Sequence, residues 1–344
     1  MAKKVILEEG RTFSEFSLLT DYTSKECNLN NIDLKSNLGK LSLGIPFLSA
    51  AMTSVTGYEM ALALGKEGGL GVLPARLSVK EQVDIINKIK GYEMGFVEDP
   101  VSVRDNATID EAVRLVEKHG HSKIPVTDRN NVFLGLFNFD KYLESNETPA
   151  ANILSIITSV ENLPFTKNSE ISVKQAKKEL EENNYLIVLD ELGRLVKIAF
   201  KKDVENIVVG AALSTHRGWK KRVKACDEAG ADIFVIDTSD AYNEFTSKVL
   251  KEYAKMNLGK PICAGNVITY DGAKFLMESG ADVIKVGMSS GSICTTQREK
   301  ATGRAPMTAL MEIEKARADH FKETGKYVSI IIDGGVSDAG SMII

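Results

Sequence analysis

Two stretches decide the fold: CDEAGADIFVIDT at 226–238 and LMESGADVIKVGM at 276–288. Each carries an acidic residue, a small residue, Gly-Ala-Asp and then an apolar run, and Glu228 and Glu278 are 50 residues apart. In physical terms each reads as a helix end, a glycine stop and a strand buried on both faces. Such strands, alternating with helices, belong to a parallel sheet covered on both sides.

Working outward, more strands of the same kind appear: IPFLSAAM (45–52), GLGVLP (69–74), IVVGAAL (207–213), KPICAGN (260–266) and YVSIIIDGG (327–335). Helical patterns lie between them at 57–68, 219–230, 270–280 and 306–325, the last with Pro306 at its start and Gly325 at its end. Polar or glycine-rich residues follow each strand, as active-site loops do at the C-terminal face of a barrel. The expected fold class is α/β, a (β/α)8 TIM barrel with seven strands present and the eighth missing. The open edge this implies leads to the expectation that the chain is a piece of a longer protein or that another chain covers the edge.

Residues 95–205 interrupt the barrel, which is assigned to 1–94 and 206–344. Here Thr108 to Glu111 and Ser172 to Gln175, 64 residues apart, read as capping boxes that open helices. Each helix is followed by paired apolar strands, IPVTD then FLGLF, or LIVLD then LVKIAF. This is a tandem β-α-β-β insertion. It is structural on its own terms, and the cleft between its halves suits a regulatory nucleotide.

Composition bounds the function. The chain has 344 residues, 43% hydrophobic and 26% charged, with net charge −4 and no basic stripe, which argues against nucleic acid as the main partner. No signal peptide or membrane span is visible, and four scattered cysteines form no C-x-x-C pair. A cytoplasmic location follows as the expectation, without disulfides or a structural zinc site.

The sharpest chemical candidate is Cys294, set between Gly291-Ser292 and Thr295-Thr296 in loop-forming sequence where a thiolate is accessible. Cys226, on a helix, and Cys263, in a strand, read instead as packed residues. Asp237 and Asp333 end apolar strands, where a carboxylate accepts either ribose hydroxyls or backbone N–H groups. Asn266 reads as a turn residue or an amide contact. Ser292 reads as a phosphate ligand beside glycine N–H groups or as a turn serine. His216 reads as a loop residue with aromatic stacking as the alternative, and His119, His121 and His320 as solvated or packed. No cluster of metal-ligating side chains stands out, though loop carbonyls after Gly287 suit a monovalent cation.

GSICTTQ (291–297) resembles the catalytic-cysteine loop of the inosine 5′-monophosphate (IMP) dehydrogenase family, which also contains GMP reductase. LSAAMTSVTGYEMALALGKEGGLGV, VGAALSTH, VIDTS, AGNV and IIDGGV are similar to family segments in family order, and the insertion resembles its tandem CBS pair. The CBS pair and Gln297 favour the dehydrogenase. The resemblance implies that Cys294 attacks C2 of IMP, that hydride passes to NAD, and that the thioimidate is hydrolysed to XMP with help from Thr296. It implies IMP binding by Ser49, Met52, Ser292, Asp333 and Gly335. On the NAD side it implies Asp237, Ser239, Asn266 and Gly287, with His216 near the adenine. It also implies potassium on backbone carbonyls of Ser289, Gly291 and Cys294, adenine or guanine nucleotides at the CBS pair, and a homotetramer at full length. Ser289 stands where the family usually has Gly, Thr53 where it has Asp, and Ala241 where Gly is frequent. The family's second phosphate loop, eighth strand and Arg-Tyr flap would lie beyond Ile344, so the chain alone is expected to turn over poorly. The rival functions are GMP reductase and a nucleotide-sensing CBS protein on an inactive barrel.

Overall fold

A computed structural model describes residues 9–19, 21–24, 27, 31–92, 96–119, 122–200, 207–288, 290–291, 299 and 301–343. The chain divides into two compact units, residues 1–91 with 207–344, and residues 92–206. The junctions fall three residues earlier and one residue later than the boundaries read from sequence.

The first unit is built on seven parallel strands: β1 (Leu48–Ser49), β2 (Leu70–Leu73), β3 (Val209–Leu213), β4 (Ile233–Asp237), β5 (Ile262–Val267), β6 (Val283–Val286) and β7 (Ser329–Ile332). Each pairs only with its neighbours in sequence order within this sheet, so β1 and β7 lie at the two ends. The sheet is curled. Leu48 of β1, Leu70 and Val72 of β2, Ala212 of β3, Ile233 and Val235 of β4, Cys263 of β5, Val283 of β6 and Ile331 of β7 all meet in one apolar cluster. A flat sheet of this width would not bring residues of its end strands together.

The longer helices after the strands are α1 (Tyr58–Lys66), α2 (Val79–Lys90), α3 (Trp219–Glu228), α4 (Glu244–Ala254), α5 (Tyr270–Glu278) and α6 (Pro306–Thr324). Two of them, α2 and α4, were not read from sequence, although both carry start signals. Ser78 and Glu81 form a reciprocal capping box on α2, and Asn243 Oδ1 accepts the Thr246 N–H of α4 at 3.0 Å. A hairpin, Ser36–Leu38 with Leu41–Leu43, closes the N-terminal end of the strands by placing Leu38 and Leu43 in the interior cluster. It is tied to β7, because Gly39 N donates to Ser329 Oγ (3.1 Å), which donates in turn to Asn37 O (2.8 Å).

The second unit holds two four-stranded sheets of matching topology. Val103–Arg104 pairs parallel with Lys123–Thr127, which pairs antiparallel with Phe133–Asn138 and then Thr158–Ser159. Phe165–Thr166, Tyr185–Leu189, Leu195–Phe200 and Val97–Glu98 repeat the arrangement. The fourth strand of the second sheet therefore comes from before the first repeat. Both capping boxes form, with Glu111 N on Thr108 Oγ1 and Gln175 N on Ser172 Oγ, each at 3.4 Å. The tight turns are equivalent too. Asp128 Oδ1 accepts from Asn130 and Val132, and Asp190 Oδ1 accepts from Leu192 and Arg194. The turns meet edge to edge, Phe133 N on Gly193 O and Leu195 N on Asn131 O.

Candidate functional site

Residues two apart on a strand share a face. Continuing the interior face past Val235, Val283 and Ile331 therefore leads to Asp237, Lys285 and Asp333 at the C-terminal ends of β4, β6 and β7. Lys285 Nζ lies 2.7 Å from Asp237 Oδ1 and 2.7 Å from Asp333 Oδ2, with only 13% of its side chain exposed. Gly265 on β5 makes room for it: a Cβ there would come within 2.5 Å of Lys285 Cβ and of the Lys285 carbonyl oxygen. A glycine at this register position is what lets the lysine stem cross the neighbouring strand.

Asn266, joined to Gly265 by a cis peptide bond, completes the cluster. Its Nδ2 donates to Asp333 Oδ2 (2.8 Å) and to Gly287 O (2.7 Å), while its Oδ1 is buried and has no partner among the described residues. Burial alone would raise the Asp333 carboxyl. The Lys285 charge and the hydrogen bonds from Lys285 and Asn266 outweigh it and hold the group below the usual carboxylate range. Burial likewise opposes charge on Lys285, and the two carboxylates outweigh it and raise the ammonium's pKa. Among the described residues, Asp237 Oδ2 and Asp333 Oδ1 accept no hydrogen bond, so each carboxylate keeps one oxygen for an incoming hydroxyl.

Backbone approaches closely beside these groups. Ser290 Oγ donates to Asp333 O at 2.6 Å, and a Cβ on Gly334 would meet Gly291 Cα at 2.9 Å. Gly334 has φ 79°, so contact and conformation both call for glycine there. At the far end of the loop, Arg304 N lies 3.5 Å from Met288 O, and the Arg304 guanidinium pairs with Glu312 through two contacts of 2.5 and 2.8 Å while also donating to Ile268 O. The segment that contains Cys294 is thus joined at its base.

A strand-end ring of two carboxylates, an amide, an ammonium and glycine-rich backbone suits a sugar-phosphate ligand. Residues 10–344 match the family described as IMP dehydrogenase / GMP reductase domain. The chain belongs to the IMP dehydrogenase/GMP reductase family. It is 30% identical to the inosine-5′-monophosphate dehydrogenase of Tritrichomonas foetus, covering 96% of this chain and 71% of that protein. It is 32% identical to the enzyme of that name from Aquifex aeolicus, covering 98% and 70%. In fold it is similar to a GMP reductase from Trypanosoma brucei solved with guanosine 5′-triphosphate, at TM-score 0.61 and 22% identity, covering 98% of this chain and 83% of that one. A second structure of that reductase, with guanosine 5′-monophosphate, gives TM-score 0.62 at 21% identity, covering 98% and 73%.

Against this family, the structure brings Asp237, Asn266, Gly287 and Asp333 of the sequence-derived set into one cluster. Cys294, Thr296, Ser292 and Ser289 lie outside the described residues. Gly291 and Gly335 flank Ser290, a Cβ at Gly335 coming within 3.4 Å of Ser290 Cβ. Ser49 ends β1, buried, and accepts the Thr56 hydroxyl at 2.8 Å; Met52 follows it with 38% exposure. Ser239 and His216 are exposed on the loops after β4 and β3.

Cys226 and Cys263 are packed, as read, and burial pushes their thiols up to about 11 and about 12. His320 is buried, with no hydrogen bond to either ring nitrogen among the described residues. Lys285 was missed because it sits inside the apolar run VIKV, where periodicity sees only a buried strand. Its signal was there: a charged residue at the interior register two places before Gly287.

Among the described residues, no three His, Cys, Asp or Glu side chains are placed to hold a metal ion, and no helix is long and apolar enough to cross a membrane.

Proposed function

We propose that this chain is an oxidoreductase acting as an IMP dehydrogenase, converting IMP to XMP with NAD as hydride acceptor. The observation that carries the reading is the pair of strand-end carboxylates, Asp237 and Asp333, both held by Lys285 and each with one oxygen that accepts no hydrogen bond among the described residues. In this reading Asp333 takes the IMP ribose, and Gly335, Ser292, Ser49 and Met52 line the rest of the nucleotide. Asp237, with Asn266, Ser239, Gly287 and His216, faces the dinucleotide, and the exposed Phe245 ring at the start of α4 lies on the same end of the barrel. Cys294 attacks purine C2, which makes that carbon sp3 and able to release hydride. NAD, a co-substrate, accepts the hydride. Thr296 then helps water attack the thioimidate, releasing XMP and the thiol.

Of the three carbonyl donors proposed for potassium, Gly291 alone is among the described residues, and no step is assigned to the ion. The second unit is read as a tandem CBS pair with an adenine or guanine nucleotide as its ligand, on the strength of its twofold repeat. The rival reaction within the same family is reduction of GMP by NADPH.

Both reactions are read at 340 nm with enzyme at micromolar concentration, so that a single turnover is visible. A rise with IMP and NAD, and no fall with GMP and NADPH, is expected. The opposite pattern establishes the reductase. Alkylation of Cys294 that IMP does not slow, with neither reaction detected, overturns both.

A further inference from the structure

Lys285 has no part in the chemistry described above, yet its charge is held at the mouth of the barrel with only 13% of its side chain exposed. We propose that Lys285 is a positioning residue that aims both carboxylates, Asp333 at the substrate ribose and Asp237 at the dinucleotide ribose, by holding one oxygen of each. The inference rests on the reading of those two aspartates given above and goes beyond it.

The argument is geometric. Nζ lies 2.7 Å from Asp237 Oδ1 and from Asp333 Oδ2, so one ammonium fixes two side chains that come from strands on either side of its own. Each carboxylate has two oxygens. Holding one fixes the direction of the other, and the other is the one without a partner among the described residues. Asp333 is held twice on the same oxygen, by Lys285 and by Asn266 Nδ2 at 2.8 Å, which leaves Oδ1 to its ligand. The lysine reaches this place only because Gly265 lacks a side chain. Without the ammonium, two carboxylates would face one partly buried space, which favours taking up a proton or turning one group away. Either change removes the aimed acceptor.

The test uses the whole chain and two nucleotides, IMP and its 2′,3′-dideoxy analogue, with dissociation constants measured by calorimetry. The analogue lacks the hydroxyls that Asp333 would accept. The parent is expected to prefer IMP by on the order of tenfold or more, as hydrogen bonds to a charged group imply. K285M and K285Q, each melting within a few degrees of the parent, are expected to bind the two nucleotides alike, while K285R keeps the preference. A merely structural role would weaken both ligands equally and leave their ratio untouched. If K285M does not fold, K285Q carries the same comparison. A preference for IMP that survives in folded K285M or K285Q overturns the positioning role and leaves the assignment of Asp333 standing. A parent that does not distinguish the two nucleotides overturns that assignment, and this inference with it.

Discussion

At the scale of single residues, the mouth of the barrel is governed by one cation between two anions and one glycine that admits it. Gly265→Ala places a methyl within 2.5 Å of Lys285 Cβ and of a backbone oxygen that cannot yield. We expect a stability loss of about 2 kcal/mol or more, as overpacking of a closed site costs, read by urea denaturation, together with weaker IMP binding. The pH dependence follows from Asp333. Its carboxyl is held below its ordinary value in the folded chain, so on acidification the unfolded chain takes the proton first. The stability it contributes is complete above the unfolded value of about 3.9 and is lost as pH falls through the depressed folded value. Asp333→Asn should flatten the acid limb of a stability-against-pH curve between about pH 5 and pH 2. An unchanged limb in the variant would show that Asp333 is not coupled to Lys285 in solution.

At the scale of elements, buried Gln82 shows how α2 is attached. Its Nε2 donates to the carbonyls of Leu73, Pro74 and Ala212 at 3.2, 2.9 and 3.2 Å, and its Oε1 accepts from Arg222 of α3 at 2.7 Å. One side chain thus joins the ends of β2 and β3 to two helices. Gln82→Leu keeps the volume and adds apolar surface, yet leaves several buried polar groups unpaired. We expect it to cost about 2 to 3 kcal/mol in chemical denaturation, where a purely hydrophobic account expects a gain. Such attachments are long-range, which is why α2 escaped a local reading although Ser78 and Glu81 mark its start. The seven strands were legible because parallel strands are apolar on both faces and end in glycine or polar residues. The same rule hid Lys285, since a period-blind apolar run does not separate a charged interior residue from its neighbours. Asp237, Asn266 and Asp333 were legible as strand-end polar residues. That one ammonium spans the two aspartates depends on the stagger of four adjacent strands, β4 to β7, which no local pattern carries.

At the scale of the molecule, the question is whether the second unit is needed for the first. The chain leaves the barrel after Gly91 and returns at Ile207. Lys90 Nζ donates to the Ile207 carbonyl at 2.8 Å and pairs with Asp232 at 2.7 Å, while Asp232 also accepts the Val209 N–H. Exit and return points are therefore tied together by the barrel's own residues. An insertion between points already held close costs little more than the closure of its own loop. Joining Gly91 to Ile207 through a short glycine linker should leave a unit that unfolds in one cooperative transition and binds IMP within a factor of about three of the whole chain. Circular dichroism melting and calorimetry measure the two quantities. Loss of the transition would mean that the barrel depends on residues 92–206 for its stability. A normal transition with lost IMP binding would mean instead that the inserted unit shapes the substrate site.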